Sequence, residues 1–177
     1  TAADVVNTYS VEQLSEIIFK YGEERYARKI AYKIASAREK APIETTAQLT
    51  SLIQSAFPPK ERFGDKHPAK RTFQALRIAV NDELEPLHKA LEDMADLLNP
   101  GGQLAVITFH SLEDRIVKQT LRRLANPCTC PPRIPVCICG KKPTVKVLGG
   151  GGVKPSKEEI AVNARSRSAM LRGCVKL

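Results

Sequence analysis

The segment LAVITFHSLEDRIVK, residues 104–118, limits the possible folds of this 177-residue chain more than any other segment does. Its first half is apolar at nearly every position, and its polar residues begin abruptly at His110. A strand with one solvated face alternates apolar and polar residues, whereas this run does not. The pattern is typical of a parallel strand that is covered on both faces. We therefore expect a buried strand over 103–109, with a ligand-binding edge at its carboxyl end.

Residues 69–84 predict a helix with two contrasting faces. One face is apolar at intervals of three and four residues, the period of a helix side that packs on a core. Polar residues recur at the same spacing on the second face. We expect the apolar face to consist of Phe73, Leu76, Val80 and Leu84, and the polar face to consist of Lys70, Gln74, Arg77 and Asn81.

The residues that follow complete an α/β pattern. Pro86 fits only the first turn of a new helix, which we expect to begin near Glu85. Pro100-Gly101-Gly102 then makes a tight turn into the apolar strand. Further strands are expected near 144–148 and 168–175. Helices that alternate with strands in this way predict an α/β fold.

The first sixty-odd residues contain helical patterns only. Ser10 and Thr45 are each followed three residues later by Gln, the spacing of a capping box that begins a helix. A polar linker at 59–68 follows these helices. We therefore expect a helical subdomain over 1–66 and an α/β part over 67–177.

Composition indicates the kind of partner and the compartment. The net charge of +9 favours an anionic partner, nucleic acid before any other. No apolar run has the length of a membrane span and no signal peptide is visible, so we expect a cytoplasmic protein without a membrane partner. The chain begins with Thr1 rather than Met, and we expect it to be processed or truncated.

Polar residues at the end of the apolar strand are candidates for substrate binding. Ser111, with Asp114 three residues later, has the pattern of a helix N-cap, and a capping role leaves room for contact with a substrate. Glu113 is also favourable near the start of a helix, because its negative charge interacts with the positive end of the helix dipole. His110 is either a structural histidine or a residue that lines a pocket, and its place at the strand end supports the second interpretation.

Two groups of cations are candidates for contact with phosphate. Arg115, Lys118 and Arg122 share one face of the helix that follows the strand; this face either is merely solvated or meets a phosphate backbone. Arg165 and Arg167 stand just before the last strand and are candidate phosphate ligands.

The segment CTCPPRIPVCICG contains two C-x-C pairs, Cys128 with Cys130 and Cys137 with Cys139. Four thiolates in a short loop are able to bind zinc tetrahedrally, with a structural role, because no coordination position stays open. Free thiols or adventitious oxidation are the alternatives. Disulfides are not expected in a reducing cytoplasm.

Four consecutive glycines at 149–152 suggest a nucleotide-binding loop at first sight. No helix pattern begins directly after them, and the Lys-Ser/Thr of a P-loop is absent. We therefore expect a flexible turn.

Three segments resemble a known family: HPAKRTFQALRIAVNDEL, LLNPGGQLAVITFHSLEDRIVK and NARSRSAMLR. Together they are similar to ribosomal RNA small subunit methyltransferase H over essentially the whole chain. The resemblance implies an S-adenosylmethionine-dependent enzyme that methylates the exocyclic amino nitrogen, N4, of a cytosine in 16S ribosomal RNA. Ala164 departs from the family, which usually has Pro after the Asn, and the departure affects only the local turn.

The resemblance also implies which parts of the enzyme are present. It predicts a helical insertion near 5–65 and the last strands of a Rossmann-like methyltransferase sheet, in the order 104–109, 168–175, 144–148. The family's cofactor loop, its ribose-binding acid and its catalytic loop would lie upstream. The chain alone is therefore expected to be inactive and to bind S-adenosylmethionine poorly. Its exposed strand edge predicts self-association or a homodimer.

The resemblance leaves the substrate side to this chain, with 16S ribosomal RNA in the small ribosomal subunit as the partner. The candidate RNA-binding residues are Lys70, Arg71, Gln74, Arg77, His110, Ser111, Glu113, Arg115, Arg165 and Arg167. Two other classes remain open from the residues alone: a stand-alone RNA-binding module with a zinc knuckle, and a helical protein-interaction domain.

Overall fold

The computed structural model describes residues 1–62, 67–131 and 136–177. The chain divides into two compact units, Thr1–Glu83 and Leu84–Leu177. This boundary lies after residue 66 because the helix at 70–81 packs with the helices of the first unit. Part of the predicted linker, 63–66, lies outside the described residues. That residues 1–66 are a family insertion stays a prediction.

The first unit is helical, as the capping patterns predicted. Ser10 and Thr45 both form complete capping boxes with the glutamines three residues later. A 3-10 turn, Pro59–Glu61, follows the fourth helix. The helices are α1 (Ala2–Thr8), α2 (Val11–Gly22), α3 (Ala27–Arg38), α4 (Thr46–Ala56) and α5 (Lys70–Asn81).

The core of this unit consists of aliphatic side chains that are fully removed from water, among them Leu14, Ile18, Ile30, Ile34 and Ile53. Burial of each such side chain contributes about 1.5–3 kcal/mol. These residues recur at helical spacing on α2, α3 and α4, so the sequence pattern itself places one face of each helix on a common core.

The expected buried face of α5 is partly wrong. Leu76 is buried and Phe73 packs against the core, but Val80 is 39% exposed. Val80 lines an open cavity of about 350 Å³ within the helical unit, and Leu84 lies beyond the end of the helix. The buried residues of α5 are Thr72, Ala75, Leu76 and Ile78. Where α2 approaches α5 closely, the residues are the small Gly22 and Ala75: a Cβ at Gly22 would stand 2.8 Å from the Arg71 carbonyl oxygen and 3.4 Å from the Ala75 Cβ.

The second unit contains the predicted strands and the predicted order. Its helices are α6 (Glu85–Leu97), α7 (Ser111–Ala125) and α8 (Lys157–Val162), with a 3-10 helix at Ala164–Ser168. Its strands are β1 (Gln103–Thr108), β2 (Val145–Val153) and β3 (Met170–Lys176), in the spatial order β1-β3-β2. Pro86 lies in the first turn of α6, and Gly101 takes a φ of 81° in the turn before β1, as the sequence predicted.

The expectation that β1 is covered on both faces is wrong for the described part of the chain. Its one neighbour there is β3, and the two strands pair antiparallel. Leu104 and Val106 pack on the core that α6 and α7 share, whereas Ile107 on the other face is 59% exposed. Both helices cover the same face, and burial therefore alternates although the sequence does not.

The glycine run is part of β2 rather than a turn. Between the pairs Leu148–Gly173 and Val153–Leu171, β2 advances five residues while β3 advances two. Three glycines of the run have positive φ angles, which residues with a Cβ rarely adopt: Gly149, Gly150 and Gly152. The run therefore forms a wide bulge, and the expected flexible turn is wrong. In the described part of the chain, no helix is long and apolar enough to span a membrane.

Candidate functional site

The start of α7 is fixed by a reciprocal cap between His110 and Glu113. The Nδ1 atom of His110 accepts a hydrogen bond from the Glu113 N–H at 3.2 Å, and the Glu113 Oε2 atom accepts from the Phe109 N–H at 2.9 Å and from the His110 N–H at 3.3 Å. The imidazole is also 3.1 Å from the Glu113 Oε1 atom, and its side chain is only 10% exposed. His110 thus sets the direction in which the chain leaves β1.

The prediction that Ser111 is the N-cap is therefore wrong. His110 has extended backbone angles, φ −141° and ψ 163°, and Ser111 is already the first helical residue. The cap lies one residue earlier because an imidazole nitrogen replaces the usual hydroxyl oxygen as acceptor. Ser111 is exposed, at the end of the sheet where the sequence placed it.

The central strand is tied to α7 by an ion pair that the sequence did not reveal. Arg172 on β3 donates two hydrogen bonds to Asp114, from Nε at 2.6 Å and from Nη2 at 2.9 Å. The hydrogen bonds from the guanidinium hold the pKa of the Asp114 carboxyl below its ordinary value, although partial burial opposes the shift. Asp114 was predicted only as a capping partner, because the register of β3 against α7 is not visible in the sequence.

The carboxyl end of β1 lies beside the amino end of β3, and the two predicted segments at these strand ends form what we call the sheet edge. Thr108, the last residue of β1, pairs with Met170, the first residue of β3, and its hydroxyl donates to the Met170 carbonyl oxygen at 3.3 Å. The 3-10 helix that carries Arg165 and Arg167 leads directly into β3. The two arginines therefore lie at the same sheet edge as His110.

Both arginines are exposed because the residue between them is the one that packs inward. Ser166 is 5% exposed, and its hydroxyl donates to the Asn163 carbonyl oxygen at 2.8 Å. The Asn163 side chain accepts from the Arg165 N–H at 3.2 Å. These hydrogen bonds of Asn163 with Arg165 and Ser166 form the local turn around Ala164.

The predicted cationic face of α7 is present. Arg115, Lys118 and Arg122 are all exposed, while Val117 and Leu121 on the opposite side are buried. The face follows the capped start of the helix along its solvent side. These three cations therefore lie on the exposed side of α7, at increasing distance from the sheet edge.

In the helical unit, two of the candidate residues on α5 have partners of their own. Arg71 donates to the Glu23 carbonyl oxygen at 3.3 Å and stands 3.9 Å from the buried Glu24 carboxylate. Arg77 makes a forked hydrogen bond to Glu83, with distances of 2.9 and 2.8 Å. Both side chains remain more than half exposed. Contact with phosphate would compete with these internal bonds.

The other two candidates on α5 differ in exposure. Lys70, at the first position of the helix, is exposed, and Gln74 is half-buried. Lys70 is thus the more accessible of the two.

The four clustered cysteines converge in the described residues of the loop after α7, although residues 132–135 between them lie outside the description. Donation of the Cys137 S–H to the neighbouring sulfurs, chiefly that of Cys139, raises the pKa of Cys137 to about 11. Backbone N–H groups of Thr129 and Lys141 lower the pKa of Cys139 to about 6. Cys174, expected in the core, is fully buried in β3, where loss of hydration raises its pKa.

The fold belongs to the α/β class: it consists of a helical unit and a three-stranded sheet that is consistent with part of a methyltransferase sheet. The family model of the MraW methylase family matches residues 1–177. This chain belongs to that family, and the resemblance seen in the sequence is confirmed.

Relatives over the full chain carry the name "Ribosomal RNA small subunit methyltransferase H". Those of Symbiobacterium thermophilum and Carboxydothermus hydrogenoformans are 55% and 54% identical over 177 residues, and that of Clostridium botulinum (strain Kyoto / Type A2) is 53% identical over 178. Each alignment covers 100% of this chain but only 56% or 57% of the relative. The chain thus spans little more than half their length. A stand-alone zinc-knuckle module is not favoured by this match.

Proposed function

We propose that this chain forms the RNA-facing part of a cytoplasmic, S-adenosylmethionine-dependent methyltransferase. Its substrate is the exocyclic N4 amino group of a cytosine in 16S ribosomal RNA. The observation that carries the proposal is the family match over all 177 residues, supported by relatives whose names specify ribosomal RNA of the small subunit. The net charge of +9 fits a polyanionic partner.

S-adenosylmethionine binding is assigned here to a part of the enzyme other than this chain, and two features of the described residues support that assignment. All strand pairs here are antiparallel, and the glycine run lies inside β2 rather than between a strand and a helix. S-adenosylmethionine, when bound, supplies the methyl group of its sulfonium centre. We assign cofactor binding to the part of the relatives' length that this chain does not span. The chain alone is accordingly inactive.

The contribution of this chain is to hold the RNA at the sheet edge. An exocyclic amine conjugated to a ring is a poor nucleophile, so its orientation decides the rate. The cytosine must also leave its stack to reach any protein group. The cap of His110 and Glu113 fixes the start of α7, and the exposure of Arg165 and Arg167 at the same end of the sheet supports contacts with phosphates of the flanking nucleotides.

Each unit also contributes cations of its own to RNA binding. In the second unit, Arg115 is exposed about one turn into α7, and in the helical unit Lys70 is exposed at the first position of α5. Arg71 and Arg77 contribute charge while keeping their bonds to the helical unit. Such contacts position RNA but do not read its sequence.

Two titrations of the chain test the proposal. Fluorescence anisotropy with 16S RNA segments over a series of salt concentrations should show affinity that falls steeply with salt, because phosphate contacts release counterions. Calorimetric titration with S-adenosylmethionine should show no micromolar binding to the chain alone and clear binding once an upstream cofactor half is joined to it. Salt-independent RNA binding, or micromolar cofactor affinity of the chain alone, contradicts the proposal.

A further inference from the structure

We propose that Cys128, Cys130, Cys137 and Cys139 bind one zinc ion in a structural site. Their four Sγ atoms all lie within 4.8 Å of one another. The Cys137 sulfur is 3.4 Å from Cys139, 3.5 Å from Cys128 and 3.7 Å from Cys130, and the sulfurs of Cys128 and Cys139 are 3.8 Å apart. Sulfurs bound at about 2.3 Å to a tetrahedral zinc are separated by roughly 3.8 Å. The thiols therefore stand close to the corners of such a tetrahedron.

No buried apolar side chain among the described residues of the loop holds it in this shape. The connection from α7 to β2 spans 126–144, and none of its described residues is buried. Val136 and Ile138, beside the cysteines, are 71% and 78% exposed. The Thr144 N–H donates to the Leu124 carbonyl oxygen at 3.1 Å, which closes the loop only at its base. A metal bound by four side chains supplies the ordering energy that a core would otherwise provide.

Backbone groups around the sulfurs support thiolate ligands. The Ile138 N–H donates to the Cys130 sulfur at 3.4 Å, and the N–H groups of Thr129 and Lys141 donate to the Cys139 sulfur. Such outer hydrogen bonds orient metal ligands and stabilise their charge. A zinc ion with four thiolates carries a net charge of −2, which Lys141 and the positive charge of the whole chain offset.

The geometry separates this site from the alternatives. The shortest of these four Sγ distances is 3.4 Å, far beyond a disulfide bond of about 2.05 Å, and all four thiols are free. Zinc binding forms four Zn–S bonds and releases one proton from each thiol that was protonated, without any redox step. With four protein ligands no position is open to substrate, so the ion holds the loop and takes no part in methyl transfer. The site is thus independent of the proposed function.

Metal analysis of the full chain tests the site. The chain, purified under reducing conditions without a metal-affinity step, should contain roughly one zinc per chain. Replacement of zinc by Co²⁺ should give the visible and thiolate-to-cobalt absorption bands of tetrahedral sulfur coordination. Cys130→Ser and Cys137→Ser should each lower zinc affinity by more than about 100-fold, since loss of an outer-shell partner alone costs about 10 to 100-fold.

Cys174→Ala is the matched control, because it removes a thiol from β3 and leaves the four ligands in place. It should retain zinc. The proposal is overturned if the reduced chain binds neither zinc nor cobalt, or if the cobalt spectrum lacks thiolate bands. It is also overturned if both serine variants still bind the metal as tightly as the unsubstituted chain. The cobalt spectrum of the unsubstituted chain decides the matter even where a serine variant does not fold.

Discussion

Arg172 on β3 and Asp114 on α7 are joined by two hydrogen bonds, at 2.6 and 2.9 Å, and both side chains are less than a quarter exposed. The pair links the central strand of the sheet to the helix whose capped start forms the candidate site. It therefore fixes α7 against the edge at which the cap of His110 and Glu113 lies.

Asp114→Asn is expected to lower the free energy of unfolding at neutral pH by about 1.5–3 kcal/mol, the range for hydrogen bonds to charged groups. The folded pKa of Asp114 lies below its unfolded value, so its contribution is complete above the unfolded pKa. It disappears as the pH falls from about 4 through the lowered folded pKa. Denaturant unfolding of both proteins at several pH values measures the difference.

The control for this prediction is Asp93→Asn on α6, which removes the exposed pair with Lys89. That substitution should leave the free energy of unfolding nearly unchanged. A difference between wild type and Asp114→Asn that does not shrink as the pH falls below about 4 would contradict the role assigned to the ion pair.

Gly22→Ala tests the contact between α2 and α5 in the helical unit. The new Cβ would stand 2.8 Å from the Arg71 carbonyl oxygen and 3.4 Å from the Ala75 Cβ, so the two helices must separate. We expect a loss of about 1–3 kcal/mol in the free energy of unfolding, despite the higher helix propensity of alanine. Thermal and denaturant unfolding provide the measurement.

Gly151→Ala is the corresponding control, since a Cβ there meets nothing within 4 Å and its φ is not positive. An unchanged midpoint for Gly22→Ala would show that the helices have room that the structure does not indicate, and an equal loss in both variants would show that the loss does not come from the contact between α2 and α5.

The sequence predicted elements whose signals are local. Ser10 and Thr45 began helices as expected, because a capping box needs only neighbouring residues. The three strands were also found from their composition and turn residues. The N-cap of α7 was placed one residue late, because histidine is not a usual capping residue and Ser111 is.

Features that depend on distant parts of the chain were missed. The pairing of Arg172 with Asp114 requires the register of β3, and the exposure of Val80 requires the direction in which α5 packs. The sequence of the glycine run alone predicts a turn, because the bulge that the run forms depends on its pairing with β3. For the cysteines, the sequence provided the spacing and the structure provided the convergence of the sulfurs.

Arg165→Ala and Arg167→Ala test the phosphate contacts at the sheet edge. If each arginine binds one phosphate, each substitution should reduce the slope of log affinity for RNA against log salt by about 0.7–0.9. Arg71→Ala and Arg77→Ala should reduce it less, because both side chains also have internal acceptors. Anisotropy titrations at four or more salt concentrations give the slopes.

Lys89→Ala, which removes an exposed cation on α6 that is paired with Asp93, is the control and should keep the parent slope. If the two variants at the sheet edge also keep that slope, their arginines are solvated charges and the RNA lies elsewhere.

The unpaired edge of β1 predicts self-association. In the described residues β1 pairs only with β3, and Ile107 and Phe109 beside the open edge are 59% and 55% exposed. Such an edge is a template for another strand. Light scattering at low micromolar concentration should show dimers or larger species, and Ile107→Lys should reduce them. Val162→Lys on α8 adds the same charge at another exposed position and should not.

Amide exchange along residues 104–109 separates the other outcomes. A monomer with fast exchange at these amides refutes pairing through β1. A monomer in which they are protected means that the edge is covered by the chain itself.

The most direct measurement is methyl transfer from labelled S-adenosylmethionine to small ribosomal subunits, followed by nucleoside analysis of the RNA. With an upstream cofactor half joined to this chain, the label should appear as N4-methylcytidine in 16S RNA, and a combined Arg165→Ala and Arg167→Ala variant should label far less. The chain alone should transfer none. Label on another base or on protein, or transfer by the chain alone, would contradict the assignment of this chain as the RNA-facing part of the enzyme.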